Sequence, residues 1–379
     1  MPPRVTIAGD DEDFDPTFIS HLRAEGFETT YLPLLPPANS PSQKPDLTPL
    51  RHLADDLELG ESYALIAFGD AAAACLDFYA SPQPHCAALI AYYPTSISSP
   101  KIKFPPSLHT TTHLAASQNF APAFPSYTYA AARPGFAEHD LDEDFDPIAA
   151  SLSWTRTLGL LRKAFGIDNV DLERVWEDHV ALEFAAKDPA ATMRNMVAGE
   201  PDEPYVNHVP TLTGGFGQKD LFLFYRDHFI PGNPPSTTMR LLSRTVGVDR
   251  VVDEILFSFE HTQQVPWMLP DVPPTGKKVS VPLVAVVCIR GGKLCREHVY
   301  WDQASVLVQV GLLDARLVPE GMRERGLERL PVVGVEAARK VVDPRAVESN
   351  GLLGSWRERA RGDPGVRMPE RPKKAAGGE

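Results

Sequence analysis

The chain has 379 residues, more than one hydrophobic core usually serves, and with 43% hydrophobic and 23% charged residues it reads as a globular protein of two domains. Its formal charge of -13 argues against nucleic acid and anionic membrane surfaces as partners, because both reward clustered Lys and Arg. No run of about 18 apolar residues exists, so no membrane span is expected.

Residues 1–166 alternate strand and helix signals. Val5-Thr6-Ile7-Ala8-Gly9 and Thr29 to Leu35 are strand candidates on either side of an amphipathic helix from Phe18 to Glu25. A Pro/Ser-rich loop over 36–48 leads to a helical stretch from Leu50 to Leu59. A third apolar strand, Ala64 to Gly69, runs straight into a helix at Ala71 to Tyr79. Ala87 to Tyr93 is a fourth strand and His113-Leu114-Ala115 a weak fifth, and a helix from Ile148 to Phe165 closes the unit. This alternation predicts an α/β domain with a parallel, helix-covered sheet.

Residues 167–335 follow a different order. Helices are expected at Leu172 to Ala186, Pro189 to Met196 and Lys219 to His228, with Asn207-His208-Val209-Pro210 as a loop or helix end between them. Strands follow at Met239 to Val246, Val251 to His261, Val279 to Arg290 and Lys293 to Trp301. Helices followed by a run of antiparallel strands make an α+β domain. Residues 336–379 lose periodicity and carry an excess of Lys and Arg, which predicts a flexible basic tail.

Met1-Pro2-Pro3-Arg4-Val5 enters a strand directly and lacks the pattern of a signal peptide. Cys75, Cys86, Cys288 and Cys295 sit in apolar or strand-like stretches without a CxxC pair, so neither a zinc site nor a disulfide framework is indicated. A reducing, cytoplasmic setting is expected, with no metal and no cofactor.

The strand-turn-helix at Ala64 to Tyr79, the strand Ala87 to Pro94 and the segment Arg133-Pro134-Gly135-Phe136 resemble a truncated dienelactone hydrolase of the α/β-hydrolase class. The resemblance implies a nucleophile at Ala71, a base at Pro134 and an acid near Ser117-Gln118-Asn119. None of these can act: a methyl group cannot attack a carbonyl, and proline has no titratable group. A pseudo-hydrolase is expected, either a degenerate scaffold or a retained pocket without chemistry.

Residues from about 168 to 320 carry Tyr205-Val206-Asn207-His208-Val209-Pro210, Gly214-Gly215-Phe216-Gly217, Leu242-Ser243-Arg244-Thr245, Phe259-Glu260-His261-Thr262 and a strand ending Tyr300-Trp301-Asp302 ahead of a Gln-rich helix. Together these resemble the SnoaL-like proteins of the nuclear-transport-factor-2-like superfamily. The resemblance implies a cone-shaped α+β fold around an apolar pocket, with Asp302 as a general acid/base. Strand parity adds candidates. On Val251 to His261, residues Asp253, Ile255, Phe257, Phe259 and His261 share one face, so His261 ends an apolar stripe that would desolvate its ring and keep it neutral. On Lys293 to Asp302, parity puts Leu294, Arg296, His298, Tyr300 and Asp302 on one face, and Glu297, Val299 and Trp301 on the other.

The catalytic candidates are therefore His208, His261 and Asp302, and Asn207, Tyr225, Glu254, Trp267, Glu297, Tyr300 and Trp301 are candidate substrate-binding residues. Each has an ordinary structural alternative. Asp302 could be a helix cap, His261 a satisfied core histidine, His208 a loop cap, and Glu254 and Glu297 partners of Arg244 or Arg296. Two functions from different classes stay open. One is a cofactor-independent isomerase, cyclase or dehydratase acting on a hydrophobic, polyketide-like or aromatic carbonyl compound. The other is a non-catalytic small-molecule-binding or assembly protein. The run Val279-Val281-Leu283-Ala285-Val287-Ile289 looks too apolar for a solvated outer face, so a homodimer or higher homo-oligomer through the C-terminal sheet is expected.

Overall fold

The structure is a computed structural model that describes residues 2–35, 45–167, 171–199, 201–354 and 356. Most of the loop over 36–48 and all of the tail beyond 356 lie outside the described residues. No helix among those described is long and apolar enough to cross a membrane.

The N-terminal unit is a six-stranded, all-parallel sheet ordered β2-β1-β3-β4-β5-β6. Its strands are β1 (Arg4–Gly9), β2 (Glu28–Pro33), β3 (Tyr63–Phe68), β4 (Cys86–Tyr92), β5 (His109–Ala115) and β6 (Ser126–Tyr129). Every residue of β3 is buried, as a continuous apolar run requires of a strand covered on both faces. The helices α1 (Pro16–Ala24), α2 (Gly69–Phe78) and α3 (Pro147–Phe165) do the covering, and one apolar cluster lies on each side of the sheet. Asp15 and Asp146 cap α1 and α3 just ahead of a proline in the first turn. Sequence periodicity misses β6 and sees only the end of β5. Its first half is Thr110-Thr111-Thr112, which is buried although polar by composition. β-branching suits threonine to a pleated surface.

The C-terminal unit opens with α4 (Leu172–Ala181), which widens into a π-type turn over Leu182–Ala186. It continues through α5 (Pro189–Arg194) to a hairpin, β7 (Tyr205–His208) and β8 (Thr213–Phe216). The segment containing His208 and the Gly214-Gly215 run are thus strands, not loops. Glycine at 214 is required because a Cβ there would lie 2.1 Å from the Val206 carbonyl oxygen across the hairpin. Helix α6 (Gly217–Phe224) also ends in a π-type turn, Tyr225–Phe229. Then come β9 (Thr238–Val246), β10 (Arg250–Glu260), β11 (Lys278–Arg290), β12 (Lys293–Trp301) and α7 (Gln303–Val310). The sheet order is β8-β7-β12-β11-β10-β9, antiparallel except where β7 runs parallel to β12. Where β12 has ended, the Gln309 side chain of α7 bonds the Ser280 backbone N–H and carbonyl at 2.9 and 3.1 Å, replacing the missing ladder partner. After a short helix α8 (Glu320–Arg323), the expected featureless tail begins instead with helix α9 (Glu336–Val342), whose Ala338 is buried.

Two outcomes concern strand faces. Val279, Val281, Leu283, Ala285, Val287 and Ile289 are all buried in the interior core cluster, so the oligomer expectation loses the residues on which it was argued. On β12, the register skips Cys295 between the pairs Cys288↔Arg296 and Ile289↔Leu294. This bulge turns Leu294 inward, fully buried, away from the face that simple alternation assigns it.

The two hairpin tips of this sheet rest on the N-terminal unit. The β11–β12 turn is a two-residue loop, Gly291-Gly292, with both φ angles positive at 54° and 74°. A Cβ on Gly291 would meet the Ala24 carbonyl at 2.9 Å, and its own N–H donates to Glu25 at 3.0 Å. At the β9–β10 turn, Arg162 of α3 donates to the Val248 carbonyl at 2.6 Å and pairs with Glu25 at 2.7 Å. Arg250 reaches back to Ser151 and Thr155 on α3 at 2.6 Å each.

Candidate active site

A cavity of about 400 Å³ lies between the inner face of the C-terminal sheet and the helical layer of α4 with its π turn. Its walls are mostly apolar: Trp176 and Phe184 from the helix, Ile255 and Phe257 from β10, Leu283 from β11 and Trp267 from the following loop. Two polar groups interrupt them.

The first group is His179, Glu183 and Glu297. His179 and Glu183 are four residues apart and share one side of the helix, on the same run as Trp176, Val180 and Phe184. Glu297 comes from β12, where alternation turns it inward with Val299. All three are buried, and their ligand-type atoms lie within 4.8 Å of one another. His179 Nδ1 is 3.0 Å from the Asn195 side-chain oxygen, which accepts its proton. That Nε2 sits 3.2 Å from a Glu183 carboxylate oxygen, yet neither it nor the Tyr225 hydroxyl beside the group makes an aligned hydrogen bond within the protein. Burial pushes the Glu297 carboxyl well above the usual range, and the charge of Glu183 adds to the shift. Burial would lower the His179 pKa, but the charges of Glu183 and Glu297 outweigh it and leave the pKa raised.

The second group is Asp253, Arg244 and Trp176. Arg244 Nε and Nη2 grip the two Asp253 oxygens at 2.7 Å each, and the Trp176 N–H donates to the same carboxylate at 2.8 Å. Arg244 also pairs with Glu173 and Glu177 at 2.8 Å. It therefore serves neither Glu254 nor Glu297.

The expected residues divide. His208 lines the cavity, stacked on Phe229 and 5.0 Å from the Trp267 ring. Burial lowers its pKa to about 3, so it is neutral. Its Nδ1 lies 3.2 Å from the Thr213 hydroxyl, which itself donates to the Trp267 carbonyl. The ring therefore donates from Nδ1 and keeps its lone pair on Nε2. Glu297 and Trp267 also line the cavity, Tyr225 lies beside the acidic group, and Trp301 packs 5.4 Å behind Trp267.

The rest lie elsewhere. Asp302 is exposed and caps α7, accepting from Ala304 N–H at 3.0 Å and the Ser305 hydroxyl at 2.6 Å. His261 is buried just past the end of β10, where its Nδ1 accepts from the Thr275 N–H at 3.3 Å, and it does not line the cavity. Asn207 and Glu254 fall on the opposite strand parity from His208 and Asp253, and Glu254 accepts from Ser243 at 3.1 Å. Tyr300 is 43% exposed.

His179, Glu183, Asp253 and Arg244 are the site residues that sequence reasoning missed. The signal for the first two was present: an i, i+4 His/Glu pair on the apolar stripe of a helix.

These placements make two variants informative. Asp302→Asn retains the cap and should leave both melting temperature and any turnover unchanged. His261→Asn disturbs a buried ring and should cost about 1–3 kcal/mol of stability without touching the cavity chemistry. Thermal melts of the two proteins check both statements, and a large loss of turnover in either would return it to the site.

No protein-family model matches the sequence, and no curated protein matches it. The solved structures that resemble part of the chain include proteins titled SnoaL-like and NTF2-like. TsrD from Streptomyces laurentii is 19% identical, over 38% of this chain and 98% of its own, with a TM-score of 0.31. A protein from Jannaschia sp. CCS1 titled as a SnoaL-like polyketide cyclase is 17% identical over 39% and 99%, with a TM-score of 0.30. An NTF2-like protein of unknown function from Cytophaga hutchinsonii is 12% identical over 34% and 98%, with a TM-score of 0.25.

Proposed function

We propose that the chain is an acid/base enzyme of the isomerase, cyclase or lyase type, acting on a hydrophobic, polyketide-like or aromatic carbonyl compound held in the C-terminal cavity. The observation that carries this reading is the convergence of Glu183 and Glu297, with the buried His179 beside them, on one wall of a mostly apolar cavity, and His208 on another. Chemistry next to a carbonyl needs one group to take a proton from carbon and another to return it, and a wall that excludes water. Glu183 and Glu297 supply a carboxylate and a carboxyl group within reach of one bound molecule. The aromatic side chains Trp176, Phe184, Phe257 and Trp267 supply the dry surround. The test is exchange of carbon-bound hydrogen for deuterium, followed by NMR, on hydrophobic ketones and phenols that the protein binds. Exchange supports the reading; binding of such compounds with no exchange in any of them would make the chain a binding module.

The N-terminal unit is, in the same proposal, a hydrolase-derived scaffold without chemistry. Ala71 is buried at the start of α2, where a nucleophile would have to be presented. The Asp10 carboxylate accepts the N–H groups of Asp70 and Ala71 at 2.6 and 2.5 Å, filling the position in which donors would hold an oxyanion. Gly69 is needed for that approach, since a Cβ there would lie 2.2 Å from an Asp10 oxygen. The protein is expected to show no turnover of p-nitrophenyl esters. Turnover that persists in a Glu297→Gln variant would overturn this.

A further inference from the structure

We infer that His179, Glu183 and Glu297 form a binding site for one first-row divalent metal ion at the wall of the cavity, a departure from the expectation of a metal-free protein. Among the described residues, this is the one group of His, Cys, Asp and Glu side chains close enough to share an ion. Three features point to a cation and not to a self-contained hydrogen-bonded cluster. First, the buried His179 Nε2 has no aligned partner in the protein. His179 donates from Nδ1 to Asn195, and its Nε2 lies 3.2 Å from a Glu183 carboxylate oxygen with no aligned hydrogen bond between them. An outer hydrogen bond that fixes the ring and its tautomer is the usual support for a metal-binding histidine. Second, two carboxyl groups are buried here, and Arg244, the arginine lining the cavity, is committed to Asp253, Glu173 and Glu177. Third, the spacing fits. Ligands about 2.0–2.2 Å from one ion lie up to about 4.4 Å apart. All the separations are within 4.8 Å, so a contraction of at most a few tenths of an ångström brings the set into range.

One imidazole and two carboxylates suit Zn²⁺, Co²⁺ or Mn²⁺. Glu183 and Glu297 both line the cavity, so the ion would keep an open position toward a bound molecule, as catalytic sites do. The π-type turn at Leu182–Ala186 is a recurring feature of helices at functional sites, and here it carries Glu183. What the ion does there rests on the proposed function. It would polarise a carbonyl oxygen at the open position, leaving the neutral His208 Nε2 to take a proton.

The binding test needs no substrate, so it stands or falls apart from the reaction. The full chain is stripped with a chelator, titrated with Co²⁺, exchanged into metal-free buffer and read by visible absorption, metal analysis and thermal melting. The expected result is one Co²⁺ retained per chain, a visible ligand-field band and a raised melting temperature. All three should be lost in Glu297→Gln and His179→Gln and kept in Asp302→Asn. If the variants fail to fold, wild type alone decides, through retention of the ion and the shift in melting. Failure of wild type to retain Co²⁺, or full retention by folded Glu297→Gln, overturns the site and leaves a purely protonic cluster.

Discussion

Replacing Arg244 by Met is expected to lower the stability of the C-terminal unit by about 3–5 kcal/mol, the usual cost of removing one partner from a buried ion pair. Asp253 is only 2% exposed, and without the guanidinium its charge would keep a single donor, the Trp176 N–H. Glu173 and Glu177 would also lose their partner, but both are more than half exposed and cost little when freed. The change is therefore concentrated on Asp253. The double variant Arg244→Met, Asp253→Leu removes both charges together and should recover much of the loss, because an apolar replacement of a whole buried pair is often neutral. Urea unfolding of the three proteins measures this. A single-variant loss below about 1 kcal/mol would mean that water entering the cavity solvates Asp253 as well as the arginine does.

Glu297→Gln is expected to reduce hydrogen exchange at carbon by about 10²–10⁴-fold, the span of a single acid/base group. Glutamine has the same shape, so the sheet pairing of β12 is untouched and the fold should persist. The melting temperature of the metal-free protein should hold or rise, since the variant removes one of two carboxylates crowded in a buried group. A merely structural Glu297 predicts the reverse: unchanged exchange and a lowered melting temperature. Asp302→Asn run beside it separates a loss at the cavity from a general loss of protein quality.

Much of the fold was legible because its signals are local. Strands β9 to β12 are bounded within about a residue by alternation alone, as a two-residue period running over nine or more residues allows. The expected helices from Leu172 to Ala186 and from Lys219 to His228 take in the π turns after α4 and α6, apart from Phe229 at the end of the second turn. The hairpin β7–β8 was not legible, since each strand has four residues and one contains two glycines. The site followed the same division. Parity placed Asp253 and Glu297 on the correct faces, and His208 was found by its motif. The resemblance pointed to Asp302, but the residue spends both carboxylate oxygens on the start of α7. His261 ends the apolar stripe as expected, yet the cavity stops short of it. Whether a stripe reaches a cavity depends on where the helical layer sits, and strand periodicity carries no information about that.

The anchoring of both hairpin tips gives the N-terminal unit a mechanical role. Glu297 and Val299 sit on the same β11–β12 ribbon whose turn is pressed against Ala24 and Glu25. Asp253 and Ile255 sit on the ribbon whose turn is held by α3 through Arg162 and Arg250. A ribbon fixed at one end can twist less at its middle, so the N-terminal unit acts as a stay that sets the cavity's width from outside. Cutting the chain near residue 167 would free both ribbons at once. The C-terminal unit would then keep every residue of its site while losing the rigidity that holds them in register.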